Sequence, residues 1–131
     1  MNRTLTAAML LLGGCAAAFT IASPSGGTLA GPAWTIESIA GEAPARPATL
    51  RFEEARLAGQ GPCNRYAGAW RMEGGALRIG PLVATRMACP EPAMAQEVLL
   101  LRLLDTGRLE RLTADRLEII GTDGARLVAR R

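Results

Sequence analysis

At 131 residues the chain is long enough for one domain with its own core and too short for two comfortable ones. It holds no histidine and no lysine: all 15 basic residues are arginine, set against 12 acidic ones, for a net charge of +3. That balance argues against the clustered basic surface of a nucleic-acid binder, and the missing histidine excludes Ser-His-Asp chemistry and any histidine-ligated metal.

The N-terminus reads MNRTLTAAMLLLGGC. Arg3, an apolar run from Leu5 to Leu12, and two small residues before Cys15 are the parts of an export signal. Leu12-Gly13-Gly14-Cys15 resembles the lipobox of bacterial lipoproteins. The resemblance implies cleavage after residue 14, lipidation of Cys15, and a membrane anchor made of several acyl chains. An ordinary secretory signal and a retained apolar helix are the alternatives. Residues 15–33, rich in Ala, Ser, Gly and Pro, read as the lipidated cysteine and a flexible tether reaching roughly 20–25 Å. Ala16, being no aspartate, points by the same resemblance to the outer membrane, periplasmic face; a soluble periplasmic protein is the alternative.

Patterning begins at Trp34, so the folded domain is expected over 34–131. WTIESIA (34–40) reads as a strand, as do the stretches around Leu50 and Phe52 and around Leu57. Tyr66, Gly68, Trp70 and Met72 fall on one face of a longer strand. Gly74-Gly75 then suits a two-residue hairpin turn, because glycine accepts positive φ, and Leu77 and Ile79 form the return strand. Leu109–Leu112, Leu117–Ile120 and Leu127–Ala129 complete the set, with a hairpin at Asp123-Gly124. One helix interrupts the strands: Pro92 suits its start, Gly107 its stop, and Met94, Val98, Leu101 and Leu104 recur at helical spacing. Leu99, Leu100 and Leu103 widen that stripe, and the whole of it is expected to pack on the sheet. The arginines from Arg46 to Arg131 mostly alternate with apolar residues, which places them on solvated strand faces. The fold expected is mainly β (α+β): a small antiparallel, barrel-like curved sheet of about eight strands with one packed helix.

The segment GPCNRYAGAW (61–70) carries the cysteine that decides the chemistry. Structural zinc wants four Cys or His ligands, and Cys63 and Cys89 are the only two thiols after the signal, so no metal and no cofactor are expected. A cysteine nucleophile wants a base, usually histidine. Paired carboxylates are represented only by Glu53-Glu54, which a strand would point to opposite sides. A non-enzymatic role is therefore expected. Export would place Cys63 and Cys89 in an oxidising compartment, where a disulfide between them is expected; two buried thiols are the alternative.

GPCNRYAGAW, followed by ALRIGPLVATRMACP and a helix, resembles the META domain, the HslJ-like family of bacterial envelope proteins. The matching positions are Cys63, Asn64, Tyr66, Gly68, Gly80, Pro81, Thr85, Met87, Ala88 and Cys89, with Trp34, Ile39 and Gly41 at the start. Pro62 departs from the pattern, standing where the family often has glycine. The resemblance implies a compact, mainly β, barrel-like fold with a packed helix, lipoprotein members, and links to heat shock or antibiotic tolerance. It implies no catalytic residue and no cofactor.

The role expected is a binding or stabilising one in envelope stress tolerance, by a protein anchored through Cys15, monomeric, with an envelope protein as partner and no nucleic acid. A carrier of small apolar ligands and an inhibitor of a periplasmic hydrolase are the alternatives. The surface around Asn64, Arg65 and Arg86 is the expected binding region. Loops stiffened by a cross-link suit recognition, and the two guanidiniums suit carboxylate or phosphate.

Overall fold

The computed structural model describes residues 28–131; residues 1–27, with Cys15 and the proposed signal, lie outside them. Short alternating segments become nine strands: β1 Trp34–Ile39, β2 Thr49–Phe52, β3 Arg56–Gln60, β4 Arg65–Glu73, β5 Ala76–Ile79, β6 Val83–Ala84, β7 Arg108–Leu112, β8 Arg116–Ile120 and β9 Arg126–Arg130, with the helix α1 Ala93–Thr106 between β6 and β7. All pair antiparallel in the order β5-β4-β3-β2-β1-β9-β8-β7, with β6 beside β4. The ends of that path, β5 and β7, come into contact without pairing, so the sheet curls into a nearly closed barrel. The hairpin glycines behave as their sequence suggests, with φ of 57° at Gly74, 82° at Gly75 and 84° at Gly124.

Inward residues fill the barrel. Trp34, Leu50, Phe52, Leu57, Leu117 and Leu127 are fully buried, joined from α1 by Leu100, Leu103 and Leu104. Phe52 meets Trp70 edge-on with ring centroids 5.2 Å apart, and the Trp70 indole N–H donates to the Glu53 carbonyl at 2.7 Å. Two bulges set the inside face. In β1 the register shifts between Ile36 and Ser38, so Ile36 and Ile39, three residues apart, both point in. In β7 the shift between Leu109 and Arg111 does the same for Leu109 and Leu112, and leaves Glu110 and Arg111 both outside.

The domain starts earlier than its patterning suggests. Residues 28–33, expected in the tether, are docked on the barrel. Leu29 is buried, Ala30 bridges Phe52, and the Leu29 carbonyl accepts from the Trp34 indole at 3.1 Å. Arg131 clamps this strap from the other end of the chain: its guanidinium lies 4.1 Å from the Trp34 ring centroid and donates to the Thr28 carbonyl at 2.6 Å. A contact between residues about a hundred positions apart cannot be read from an Ala/Gly/Pro-rich composition.

The helix faces are also redistributed. Val98, expected in the core, is 64% exposed, and Met94 and Leu101 are only half-buried. The buried face instead carries Gln96 and Glu97 alongside the leucines. Both polar side chains bond to backbone: the Gln96 amide accepts from Ala45 N–H at 2.7 Å and donates to the Ala43 carbonyl at 3.0 Å. Those bonds fix the rotation of α1, and a hydrophobic stripe cannot register them.

Outside, β7 and β8 carry a charge cluster. Glu118, 8% exposed, takes Arg116 at 2.7 Å and Arg111 at 3.1 Å. The Arg116 hydrogen bond, helped by the charges of Arg116, Arg111 and Arg126, holds the Glu118 carboxyl below the ordinary range against the opposite push of burial. A depressed folded-state value means the stabilisation is complete above the unfolded value, about 4.3, and is lost as pH falls through the lower folded one. Glu118→Gln is therefore expected to lower stability by about 1 kcal/mol at pH 7, because the arginines are partly solvated. Urea titrations of both proteins should converge as pH falls below the folded-state value; a gap that persists there would contradict the ionic origin.

Candidate functional site

The turn between β3 and β4 brings the chemistry-bearing residues together. Cys63 and Cys89 form a disulfide, with Cα atoms 5.9 Å apart, that ties this turn to the segment entering α1. Below it, Glu97 reaches up from α1. One carboxylate oxygen accepts the Cys63 N–H at 3.1 Å and the Asn64 N–H; the other accepts the Asn64 side-chain amide at 2.6 Å. Asn64 passes the network on. Its carbonyl oxygen accepts from Met87 N–H at 2.6 Å and the Thr85 hydroxyl at 3.0 Å, while its amide also donates to the Met87 carbonyl at 3.2 Å. Asn64 and Glu97 are 3% and 5% exposed, so this is an internal clamp holding together the 61–66 turn, the 85–89 segment and α1.

Glycines make room for it. A Cβ on Gly61 would lie 2.6 Å from the Glu97 carboxylate. One on Gly59 would lie 2.4 Å from the Tyr66 hydroxyl, which crosses the sheet to donate to the Thr49 carbonyl at 2.7 Å. One on Gly68 would strike the Pro81 carbonyl and Leu82 at 2.9 Å, where the Gly80-Pro81-Leu82 stretch crosses β4. Burial first, then the Glu97 charge, push the Tyr66 phenol far above its ordinary range, so it serves as a neutral donor.

The three residues expected to bind therefore part company. Asn64 is buried and its amide group is engaged on both sides, so it is not available at the surface. Arg65 and Arg86 are exposed on either side of Thr85, and neither makes a salt bridge among the described residues. Glu97, which the sequence reading placed in no role, is the centre of the clamp. A lone Glu in an apolar helix, four residues after Ala93, was the available signal.

Two open depressions flank the clamp. A cleft of about 400 Å³ lies on the outer face of β3 and β4, over Ala58 and Ala67, with Arg56, Arg65 and Val83 at its margin. A groove of about 540 Å³ runs between the 82–88 segment and α1, lined by Leu82, Ala84, Arg86, Met87, Met94 and Leu101. Among the described residues there is no cluster of Cys, Asp or Glu arranged to hold a metal ion.

A sequence profile described as the META domain matches residues 27–131. Among solved structures, the chain is similar to the NMR structure of a protein from Burkholderia xenovorans, at 25% identity and a TM-score of 0.61, over 79% of this chain and 83% of that one. It shares its fold with a second protein solved by NMR, at 24% identity and a TM-score of 0.61, over 75% of this chain and 86% of the other. No curated protein sequence matches it significantly.

Proposed function

This chain belongs to the META domain family, and from that premise we propose that it is a non-catalytic cell-envelope protein which binds a protein partner through the surface around Arg65 and Arg86. The observation that carries the reading is that the motif's polar residues are consumed internally. Cys63 and Cys89 are bonded to each other, Asn64 and Glu97 satisfy one another, and Tyr66 spans the sheet. The motif is thus a scaffold, and the groups it leaves to solvent are two guanidiniums held on a stiffened frame. Planar, permanently charged forks of this kind suit carboxylate or phosphate. In this reading the protein is anchored at the outer membrane through acylated Cys15 and contributes to envelope stress tolerance.

Arg65→Ala combined with Arg86→Ala is expected to leave the melting temperature within about 2 °C of the parent, since both side chains are exposed. The same double variant should lose most of the partner captured from an envelope extract, quantified by mass spectrometry. Equal capture of the same proteins would sink the reading. Mass spectrometry of the membrane fraction tests the anchor: a mature chain beginning at acylated Cys15 is expected, and a soluble chain starting further on would remove it.

A further inference from the structure

We propose that the free edge of β6 takes up an extended, acidic peptide segment of the partner as an added strand. This rests on the binding reading above and names how that binding is made. Among the described residues β6 pairs with β4 alone. Thr85 N–H donates to the Arg65 carbonyl at 3.0 Å, so Thr85 faces β4. In an antiparallel ladder, neighbouring residues turn their backbone groups to opposite sides. Ala84 and Arg86 therefore direct N–H and C=O away from β4, and both line the groove beside α1. An unpaired edge is a template for another strand, and most proteins cover or blunt theirs.

The groove has the form such a strand needs. Its far wall is α1, with Met94 and Leu101 across from Ala84 and Arg86, and a second depression that shares Leu82 and Leu101 adjoins it at Pro81, Arg102 and Asp105. From Met94 to Asp105 the helix rises roughly 16 Å, the length of about five extended residues. Met87, on its lining, is 57% exposed, and Val83, at the cleft on the other side of β6, is 70% exposed.

Charge selects the occupant. Eight arginines of the described chain sit within 4.0 Å of a carboxylate. Six do not: Arg78 lies on β5 and Arg131 on the 28–33 strap, while the other four lie around β6 and the disulfide, Arg86 in the groove, Arg56 and Arg65 on the cleft across β6, and Arg46 at Cys89. A second copy of this chain would bring the same four cations against their equivalents across a two-fold axis, because an isologous contact uses one patch twice. A strand alternating apolar and acidic residues would lay the apolar ones on Met94 and Leu101 and present carboxylates to the arginines.

The test is a selection of displayed random peptides on the disulfide-intact protein, followed by titration of a synthetic copy of an enriched peptide. Enriched peptides should alternate apolar and acidic residues. Binding should protect the Ala84 amide from hydrogen exchange, and should weaken about tenfold or more in Ala84→Pro and in Arg86→Glu. Ala84→Pro deletes the N–H that faces the groove and leaves the β4 bonds in place, while Ala84→Val should bind as the parent does. If Ala84→Pro fails to fold, amide protection in the parent decides. The proposal fails if no peptide is enriched, if Ala84→Pro binds equally well, or if the Ala84 amide stays unprotected. A parent dimer that Ala84→Pro dissolves would give the edge to a second copy instead. Binding lost in the Arg65/Arg86 double variant yet kept in Ala84→Pro would overturn strand addition alone and leave the arginine surface standing.

Discussion

Glu97→Ala is expected to destabilise the folded domain by roughly 3–9 kcal/mol, because three donors lose their acceptor in a buried site at about 1–3 kcal/mol each. The donors are Cys63 N–H, Asn64 N–H and the Asn64 amide. Water cannot easily replace the carboxylate, since Asn64 and Cys63 are each 3% exposed. A loss of that size is a large share of the 5–15 kcal/mol typical of a whole domain. Glu97→Gln keeps the shape and one accepting oxygen, so it should cost roughly half as much. Its NH₂ would face the Asn64 amide, donor against donor, and Asn64 cannot flip in response because its carbonyl oxygen already serves Thr85 and Met87. Urea unfolding under oxidising conditions gives all three stabilities. An Ala variant within 1 kcal/mol of the parent, at unchanged m-value, would mean the clamp is dispensable.

Removing the disulfide should be nearly as damaging. Cys63 and Cys89 close a loop with a sequence separation of 26, for which loop-closure entropy alone gives about 3.5 kcal/mol. In a domain of this size the Cys63→Ala, Cys89→Ala double variant should melt roughly 14–28 °C lower. Parent protein treated with a thiol reductant should fall by a similar amount, and the double variant should not respond to it. The two effects should not simply add. Both the disulfide and Glu97 hold residues 61–64 against the 85–89 segment, so with one gone the other restrains a segment that is already loose. A triple variant is expected to fall short of the sum; strict additivity would mean that the cross-link and the carboxylate act on separate parts of the fold.

The class and most of the elements were legible because they follow from periods of two and from turn chemistry. β4 is long and carries Tyr66, Gly68 and Trp70 at every second position, although Met72, expected on the same face, is 46% exposed. Its partner β5 is fixed by a Gly-Gly turn that L-residues with side chains would strain. The meander from β7 to β9 shows in the same way, as does the Gly107 stop, and Cys63 and Cys89 are the two cysteines left to pair once Cys15 is set aside. β6 was missed: two paired residues leave no alternation to detect, and its place depends on Gly68 letting the 80–82 segment cross β4.

The sequence by itself determined a curled antiparallel sheet with one helix, the cross-link, and the segment that carries the family motif. Those depend on local preferences and on which residue types are present. Only the tertiary structure decided what the motif does. Asn64, expected at a binding surface, is turned inward by a glutamate 33 residues away. Val98, expected in the core, is turned outward because Gln96 and Glu97 are tied to loop backbone on the other side of α1. The strap at 28–33 is held by the last residue of the chain. In each case the deciding contact joins polar groups far apart in sequence, and buried donors and acceptors must be paired wherever in the chain their partners lie.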